Sequence, residues 1–175
     1  MNVIGLGDAG CRIADCFSQY PEYKIYKINV DISGKGCYTV PVFDSAEEYE
    51  RYEYPKLRSF LKGLRGETIF ILGGSGKISC GSLRVLEKIK RLPISILYIQ
   101  PDIDMLDKTQ KMQEKLVRNV LQEYTRSAVF EKMCLISNAS LDHIVDGAPV
   151  IGYYDALNNA LVPSLHMVNF FLNTK

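Results

Sequence analysis

The sequence contains no tryptophan and only two histidines, His143 and His166, so a histidine-based metal or catalytic cluster is not expected. It also has no uninterrupted apolar run of about 18 residues, the length that a membrane-spanning helix needs, and we predict no membrane span. Its 21 basic and 20 acidic residues leave a formal net charge of +1. A balance this even gives no electrostatic reason to expect a nucleic acid or a membrane surface as a partner.

Disulfide and zinc frameworks are also not expected. The five cysteines are scattered and form no C-x-x-C pair: Cys11, Cys16, Cys37, Cys80 and Cys134. Such thiols are typical of the reducing cytoplasm, and the first residues indicate a core strand rather than a signal peptide, so we predict a cytoplasmic protein. A chain of 175 residues is expected to form a single domain over 1–175 that buries roughly 70% of its unfolded surface.

What the sequence does contain is a regular alternation of strand and helix patterns. Apolar, β-branched segments that predict strands lie near 1–5, 24–30, 37–43, 68–72, 94–100 and 133–137. Helical patterns lie at about 10–20, 45–64, 79–91, 104–126 and 151–172, and we expect the charged helix over 45–64 to break at Pro55. The alternation predicts an α/β fold in three layers, a Rossmann-like, mostly parallel sheet with helices on both faces.

Two glycine loops each follow a predicted strand directly and run into a helical pattern. Segment 5–10 reads GLGDAG and segment 73–77 reads GGSGK. A strand, a glycine loop and a helix in succession present backbone N–H groups and a helix N-terminus to one point, which suits a phosphate. Two such loops favour a polyphosphate held between them. The second loop is not a P-loop, because the P-loop pattern needs glycine where Ile71 stands and serine or threonine where Ile78 stands.

The first loop alone admits other interpretations. Its G-x-G-x-x-G spacing is the dinucleotide fingerprint, and Asp31 ends the next predicted strand about 20 residues later. In an NAD-dependent enzyme that carboxylate would hold the ribose hydroxyls. The same loop is also compatible with a tight turn that merely needs glycine.

Three residues near the C-terminus suit the recognition of a base. Asn138 follows the last predicted strand, and Tyr154 and Asn158 are four residues apart on a predicted helix, so they share one face. A tyrosine ring can stack on a base while an amide hydrogen-bonds to its edge. A surface tyrosine on an amphipathic helix is the alternative interpretation.

Taken in order, these segments resemble the nucleotide-binding (GTPase) domain of the tubulin/FtsZ family. GLGDAG at 5–10 is similar to the first phosphate loop, NVD at 29–31 to the Asn-Thr-Asp after the second strand, LGGSGKI at 72–78 to the signature GGGTGTG, and YDALN at 154–158 to the YGDLN stretch of tubulin. The resemblance covers nearly the whole chain and implies GTP or GDP as the ligand. The nucleotide contacts that it implies are Gly5, Gly7, Asp8, Gly10, Arg12, Asp31, Gly73, Gly74, Ser75, Gly76, Lys77, Asn138, Tyr154 and Asn158.

Departures from the family pattern indicate a divergent relative. Asp8 replaces an uncharged residue beside the phosphates, which is repulsive unless Mg²⁺ lies between them, so we expect Asp8 to be a metal ligand. Arg12 replaces a base-contacting amide, and Lys77 and Ile78 replace Thr-Gly in the signature loop. Lys77 would then place a point charge at the β- and γ-phosphates.

The resemblance also implies assembly, since members of the family form filaments, and we expect a homo-oligomer or another structural assembly. GTP hydrolysis in the family needs acidic residues just after the central helix, and the resemblance places them beyond Lys175. We expect this chain to lack them and the C-terminal domain, either as a fragment or as a natural minimal domain. We therefore assign no catalytic residue and expect little or no hydrolysis, with Asp102, Asp104 and Asp107 as the only in-chain substitutes. Two alternatives stay open: a structural protein that kept the fold without the nucleotide, and an NAD-binding domain.

Overall fold

Six parallel strands form one sheet in the computed structural model, which describes residues 1–138 and 152–173. The strands are β1 (Asn2–Leu6), β2 (Lys24–Asn29), β3 (Cys37–Thr39), β4 (Thr68–Gly73), β5 (Ile94–Gln100) and β6 (Lys132–Ser137). They lie in the order β3-β2-β1-β4-β5-β6, and every neighbouring pair is parallel. The predicted sheet is confirmed, with β3 shorter than the expected 37–43.

Helices cover both faces of the sheet. They are α1 (Gly7–Cys16), α2 (Ala46–Arg51), α3 (Leu57–Phe60), α4 (Ser82–Ile89), α5 (Lys108–Arg126) and α6 (Tyr153–Asn173). α1 and α6 pack on one face through Ile13 and Val162, joined there by Phe17 directly after α1, while α2 to α5 contribute buried side chains to the core on the other face. This is the three-layer α/β arrangement that the alternating pattern predicted.

The two central strands fix the points from which both glycine loops leave. Every residue of β1 is buried, and so are the first five residues of β4. A central strand of a parallel sheet is covered on both faces, so its sequence is apolar almost continuously rather than in alternation. Burying a side chain such as Leu6 or Ile71 stabilises the fold by about 1.5–3 kcal/mol.

The charged segment 45–64 forms two short helices, and the break lies where Pro55 predicts it. Ser45 starts α2 with a capping box: its hydroxyl accepts the Glu48 N–H, and the Glu48 carboxylate accepts the Ser45 N–H. Tyr54 and Lys56, on either side of Pro55, have left-handed backbone angles, with φ of 51° and 64°. The residue before a proline is disfavoured in a helix, so the chain turns here before α3 begins.

Candidate functional site

A cavity of about 300 Å³ opens at the edge of the sheet where the carboxyl ends of the strands meet. Side chains from α1 and α6 line it, together with Ile99 near the end of β5 and Asn138 directly after β6. Ile13, Leu157 and Leu161 add apolar surface. Ligands of open parallel α/β sheets bind at this edge, so the cavity lies where a functional site is expected.

The fold brings several of the predicted nucleotide contacts to this cavity from four separate segments. Those that line it are Asp8, Arg12, Ser75, Asn138, Tyr154 and Asn158. Those that do not line it are Gly5, Gly7, Gly10, Asp31, Gly73, Gly74, Gly76 and Lys77. The predicted base contacts are therefore gathered more completely than the predicted phosphate contacts.

Asn158 is the most deeply buried polar residue that lines the cavity. It is 6% exposed, and no hydrogen bond to its amide is formed within residues 1–138 and 152–173. Among the described residues, the one buried side-chain polar atom without a partner is the Tyr54 hydroxyl oxygen, so the side-chain amide of Asn158 is open to the cavity rather than sealed inside the protein. An amide that stays unpaired beside a cavity is therefore placed to bond to something that enters it. Tyr154, one helical turn earlier, lines the same cavity and is 57% exposed.

Two opposite charges on α1 face the cavity one helical turn apart. The Asn29 side-chain amide donates to the Asp8 carboxylate, with 2.7 Å between Nδ2 and Oδ1, so the end of β2 orients this acid. Arg12 is exposed, and its guanidinium forms no ion pair within the part of the chain that the structure describes. One carboxylate and one guanidinium cancel, so these two side chains give the cavity no net charge.

Gly5 and Gly10 are required by the packing of α1 on the sheet. A Cβ added to Gly10 would lie 2.4 Å from the carbonyl oxygen of Ile71, and one added to Gly5 would lie 2.3 Å from the carbonyl oxygen of Gly10. Because both neighbours are backbone atoms, neither can turn aside as a side chain could. Two glycines of the fingerprint thus let α1 approach β1 and β4 closely, a role that does not depend on a phosphate.

Gly7 has a left-handed backbone, with φ of +72°, where the chain turns from β1 into α1. In dinucleotide-binding loops the glycine at this position lets the pyrophosphate approach the backbone. Here a buried side chain packs against this glycine, since a Cβ on Gly7 would lie 2.8 Å from Ile78 Cγ2. The isoleucine that departs from the family signature therefore packs on Gly7, which the sequence did not predict.

The loop after β4 is bonded to the protein around it. The Gly74 N–H donates to the Ile99 carbonyl over 2.9 Å, and the Ser79 hydroxyl donates to the Gly73 carbonyl. A Cβ on Gly74 would lie 2.2 Å from the Tyr98 hydroxyl oxygen. Glycine is needed at this position because a tyrosine packs against it, and its N–H is not free for a phosphate.

A buried carboxylate holds that tyrosine in place. The Tyr98 hydroxyl donates to Glu114 Oε1 over 3.2 Å, and Arg118 Nε donates to the same oxygen over 2.8 Å. Glu114 is 2% exposed, and burial, together with the Glu114 charge, raises the pKa of the Tyr98 hydroxyl. The network ties α5 to β5 next to the second loop, and no motif in the sequence indicated it.

Lys77 is bonded outside the cavity. Its ammonium group donates to the Asp44 carbonyl over 2.7 Å, at the turn before α2. The predicted contact with the β- and γ-phosphates would require Lys77 to leave this hydrogen bond.

Two of the other candidate acids, Asp102 and Asp107, accept hydrogen bonds from backbone N–H groups. The Asp102 carboxylate accepts the N–H of Asp104 over 3.0 Å, and Asp107 caps α5 by accepting an N–H of its first turn over 2.8 Å. That cap explains why α5 starts later than the expected 104. Asp31 is exposed beyond the end of β2, with φ of 48°. None of these four acids lines the cavity.

Within residues 1–138 and 152–173, no group of three or more His, Cys, Asp or Glu side chains could hold a metal ion. No helix in the same part of the chain is long and apolar enough to cross a membrane.

A larger cavity of about 610 Å³ lies on the other face, along α4 and α5. It contains none of the predicted contacts and is mainly apolar. The smaller cavity, where polar groups converge, is therefore the candidate site.

Two solved structures share the fold of this chain, each with a TM-score of 0.72. One is an empty FtsZ dimer from M. jannaschii, 14% identical, and the other is TubZ from Bacillus thuringiensis serovar israelensis in GDP-form protofilaments, 17% identical. They match 94% and 95% of this chain, which spans about half of theirs, 52% and 53%. No protein-family profile and no curated protein matches the sequence. The predicted resemblance to the tubulin/FtsZ nucleotide-binding domain is confirmed in the fold.

Proposed function

We propose that this chain is a tubulin-like domain that binds a guanine nucleotide by its base, in the cavity between α1 and α6. The observation that carries the proposal is Asn158, a largely buried residue that lines the cavity and whose side-chain amide forms no hydrogen bond within the described chain. An amide presents a donor and an acceptor side by side, which suits the edge of guanine, where a carbonyl oxygen lies beside N–H groups. The structurally similar TubZ, solved in its GDP form, supports guanine as the base.

Tyr154 and Asn138 complete the proposed base site. The Tyr154 ring lines the cavity from the same helix face as Asn158 and is exposed enough to stack on a base. Asn138 lines the cavity from the end of β6 and would offer a second amide to the base. Stacking and edge recognition would then come from different elements of the fold.

The charged residues of α1 would meet a phosphate-bearing ligand. Arg12 would lie beside the phosphate nearest the ribose, where its positive charge offsets that of Asp8. Among the described residues that line the cavity, Asp8 is the only acid. A Mg²⁺ ion at Asp8 would therefore need the nucleotide phosphates as its other ligands.

We also propose that the domain works in an assembly with copies of itself in the cytoplasm, because the similar structures are an FtsZ dimer and TubZ protofilaments. The isolated chain would hydrolyse GTP slowly or not at all, since Asp8 is the only described acid at the cavity and Asn29 already bonds to it. A structural protein without nucleotide is the second candidate, and the packing of Ile78 against Gly7 favours it.

Calorimetric titration of GDP and ADP into the purified protein tests the proposed function. We expect GDP to bind more tightly than ADP. Asn158→Ala should weaken GDP binding by about tenfold, because losing a hydrogen bond to a buried edge costs about 1–3 kcal/mol. The matched control is Asn159→Ala, an exposed neighbour on the same helix, which should leave binding unchanged.

The nucleotide released when the purified protein is denatured separates the alternatives. Guanine nucleotide in the extract would support the proposal, and NAD would support the dinucleotide-binding alternative. An empty protein that binds no guanine nucleotide in the titration would contradict the proposal and leave the structural candidate.

A further inference from the structure

The two ends of the candidate site differ in what they leave open to a ligand, and this difference points to the ligand class. Building on the proposed function, we propose that the cavity is a nucleoside site. It binds the guanine base and the ribose, and the β- and γ-phosphates of a nucleotide add nothing to the affinity.

The first reason is that a side chain packs on Gly7 of the first glycine loop. A Cβ added to Gly7 would lie 2.8 Å from Ile78 Cγ2, and the Ile78 side chain is only 8% exposed. A polyphosphate needs direct approach to the backbone N–H groups at the start of α1. A buried methyl group beside Gly7 narrows that approach.

The second reason is that Gly74, in the loop after β4, has no open face for a phosphate. The Gly74 N–H is bonded to the Ile99 carbonyl over 2.9 Å. The other side of Gly74 is covered by Tyr98 and Glu114, whose nearest atoms would lie 2.2 Å and 3.1 Å from an added Cβ. A phosphate cannot reach this glycine without displacing a buried tyrosine.

The third reason is charge. The two charged side chains described in the lining, Asp8 and Arg12, cancel, and the nearest loop cation, Lys77, is bonded to the Asp44 carbonyl over 2.7 Å. A site for a polyanion concentrates positive charge and N–H donors. Here the open polar groups are amides, those of Asn138 and Asn158, which suit an uncharged base.

The affinities of guanosine, GMP, GDP and GTP for the wild-type protein test this inference directly, in calorimetric titrations at one ionic strength with and without Mg²⁺. We expect all four dissociation constants to lie within about threefold of one another, because β- and γ-phosphates that stay in solvent contribute little. GTP that binds more than about tenfold tighter than guanosine would overturn the nucleoside site and leave the proposed function standing. If no guanine ligand binds, the proposed function itself fails.

Two variants of Ile78 test its role separately. Ile78→Ala removes the methyl group over Gly7, and we expect GDP then to bind about tenfold tighter than guanosine, as charge-assisted hydrogen bonds to the freed N–H groups would allow. Ile78→Val keeps the Cγ2 methyl and should retain the wild-type ratio. Equal GDP and guanosine affinities in a folded Ile78→Ala protein would overturn the role of Ile78. Should that variant fail to fold, the wild-type series still decides.

Discussion

The candidate site has a base end, formed by Asn138, Tyr154 and Asn158, and a loop end, formed by Gly7 and residues 73–77. Both lie at the same edge of the same sheet, but their polar groups differ in whether they are bonded within the protein. At the base end, Asn158 is buried with no partner in the described chain, and Tyr154 remains exposed. At the loop end, Gly73, Gly74 and Lys77 form hydrogen bonds within the protein. Folded proteins pair their buried polar groups internally wherever they can. An unpaired amide that faces a cavity is therefore a more specific sign of a ligand than a retained glycine.

The largest effect is expected from a substitution of Gly74, which tests whether the loop end is held by packing inside the protein. Gly74→Ala should destabilise the fold by about 1–3 kcal/mol or more, the usual cost of overpacking, because the new Cβ would lie 2.2 Å from the Tyr98 hydroxyl oxygen and 2.8 Å from Tyr98 Cζ. Gly76→Ala is the matched control, since a Cβ there meets nothing closer than 3.6 Å. Urea unfolding of both variants measures the difference.

A second substitution tests the cause of that loss. Tyr98→Phe removes the hydroxyl that lies nearest Gly74, so the double variant with Gly74→Ala should lose less stability than the two single variants added together. Gly74→Ala and Gly76→Ala proteins of equal stability would show that Gly74 is not held by the tyrosine. In that case the loop would again be a candidate for phosphate contact.

At the base end the largest effect is expected from Tyr154. Tyr154→Ala should weaken guanosine binding by about tenfold, since stacking a base on an aromatic side chain is worth roughly 1–3 kcal/mol. Tyr154→Phe keeps the ring and should bind like the wild type. Because the side chain is 57% exposed, neither change should alter the free energy of unfolding by more than about 0.5 kcal/mol. Wild-type affinity in Tyr154→Ala would remove the ring from the site.

Asp8 gives a smaller and more selective effect. Asp8→Asn removes a negative charge from the cavity while keeping a side chain of the same size beside Asn29. We expect GDP to bind up to about fivefold tighter and guanosine to be unaffected, because an exposed charge pair a few ångström apart is worth about 1 kcal/mol in water. Weaker GDP binding, together with loss of any Mg²⁺ dependence, would instead show that Asp8 shares a metal ion with the phosphates.

The smallest effect is expected from Lys77. Lys77→Ala removes one exposed hydrogen bond to Asp44 and should lower the free energy of unfolding by no more than about 1 kcal/mol. The affinities for GDP and guanosine should not change. A selective loss of GDP affinity in this variant would restore the phosphate role that the sequence predicted for Lys77.

The sheet could be predicted from the sequence, because a buried parallel strand such as β4 has a nearly unbroken apolar pattern and glycine loops mark where strands end. It also indicated that Tyr154 and Asn158 share a helix face, which spacing alone determines. It could not separate the uses of glycine. Gly10 permits close packing and Gly7 permits a left-handed turn, yet both look the same in a G-x-G-x-x-G pattern.

The closure of the loop end was beyond prediction for a related reason. Tyr98 belongs to β5 and its partner Glu114 to α5, so their contact with Gly74 exists only after the chain has folded. Ile78 was visible as a departure from the family signature, but its packing against Gly7 depends on how the short helix at Lys77–Gly81 is placed. Contacts between distant segments leave no local pattern in the sequence.

A crystal structure of the protein with GDP bound is the most direct test of the central claim. The account predicts the guanine ring against Tyr154, its edge about 3 Å from the Asn158 amide, the diphosphate directed into solvent, and Ile78 still packed on Gly7. A diphosphate bound to the N–H groups at the start of α1, with Ile78 displaced, would contradict it.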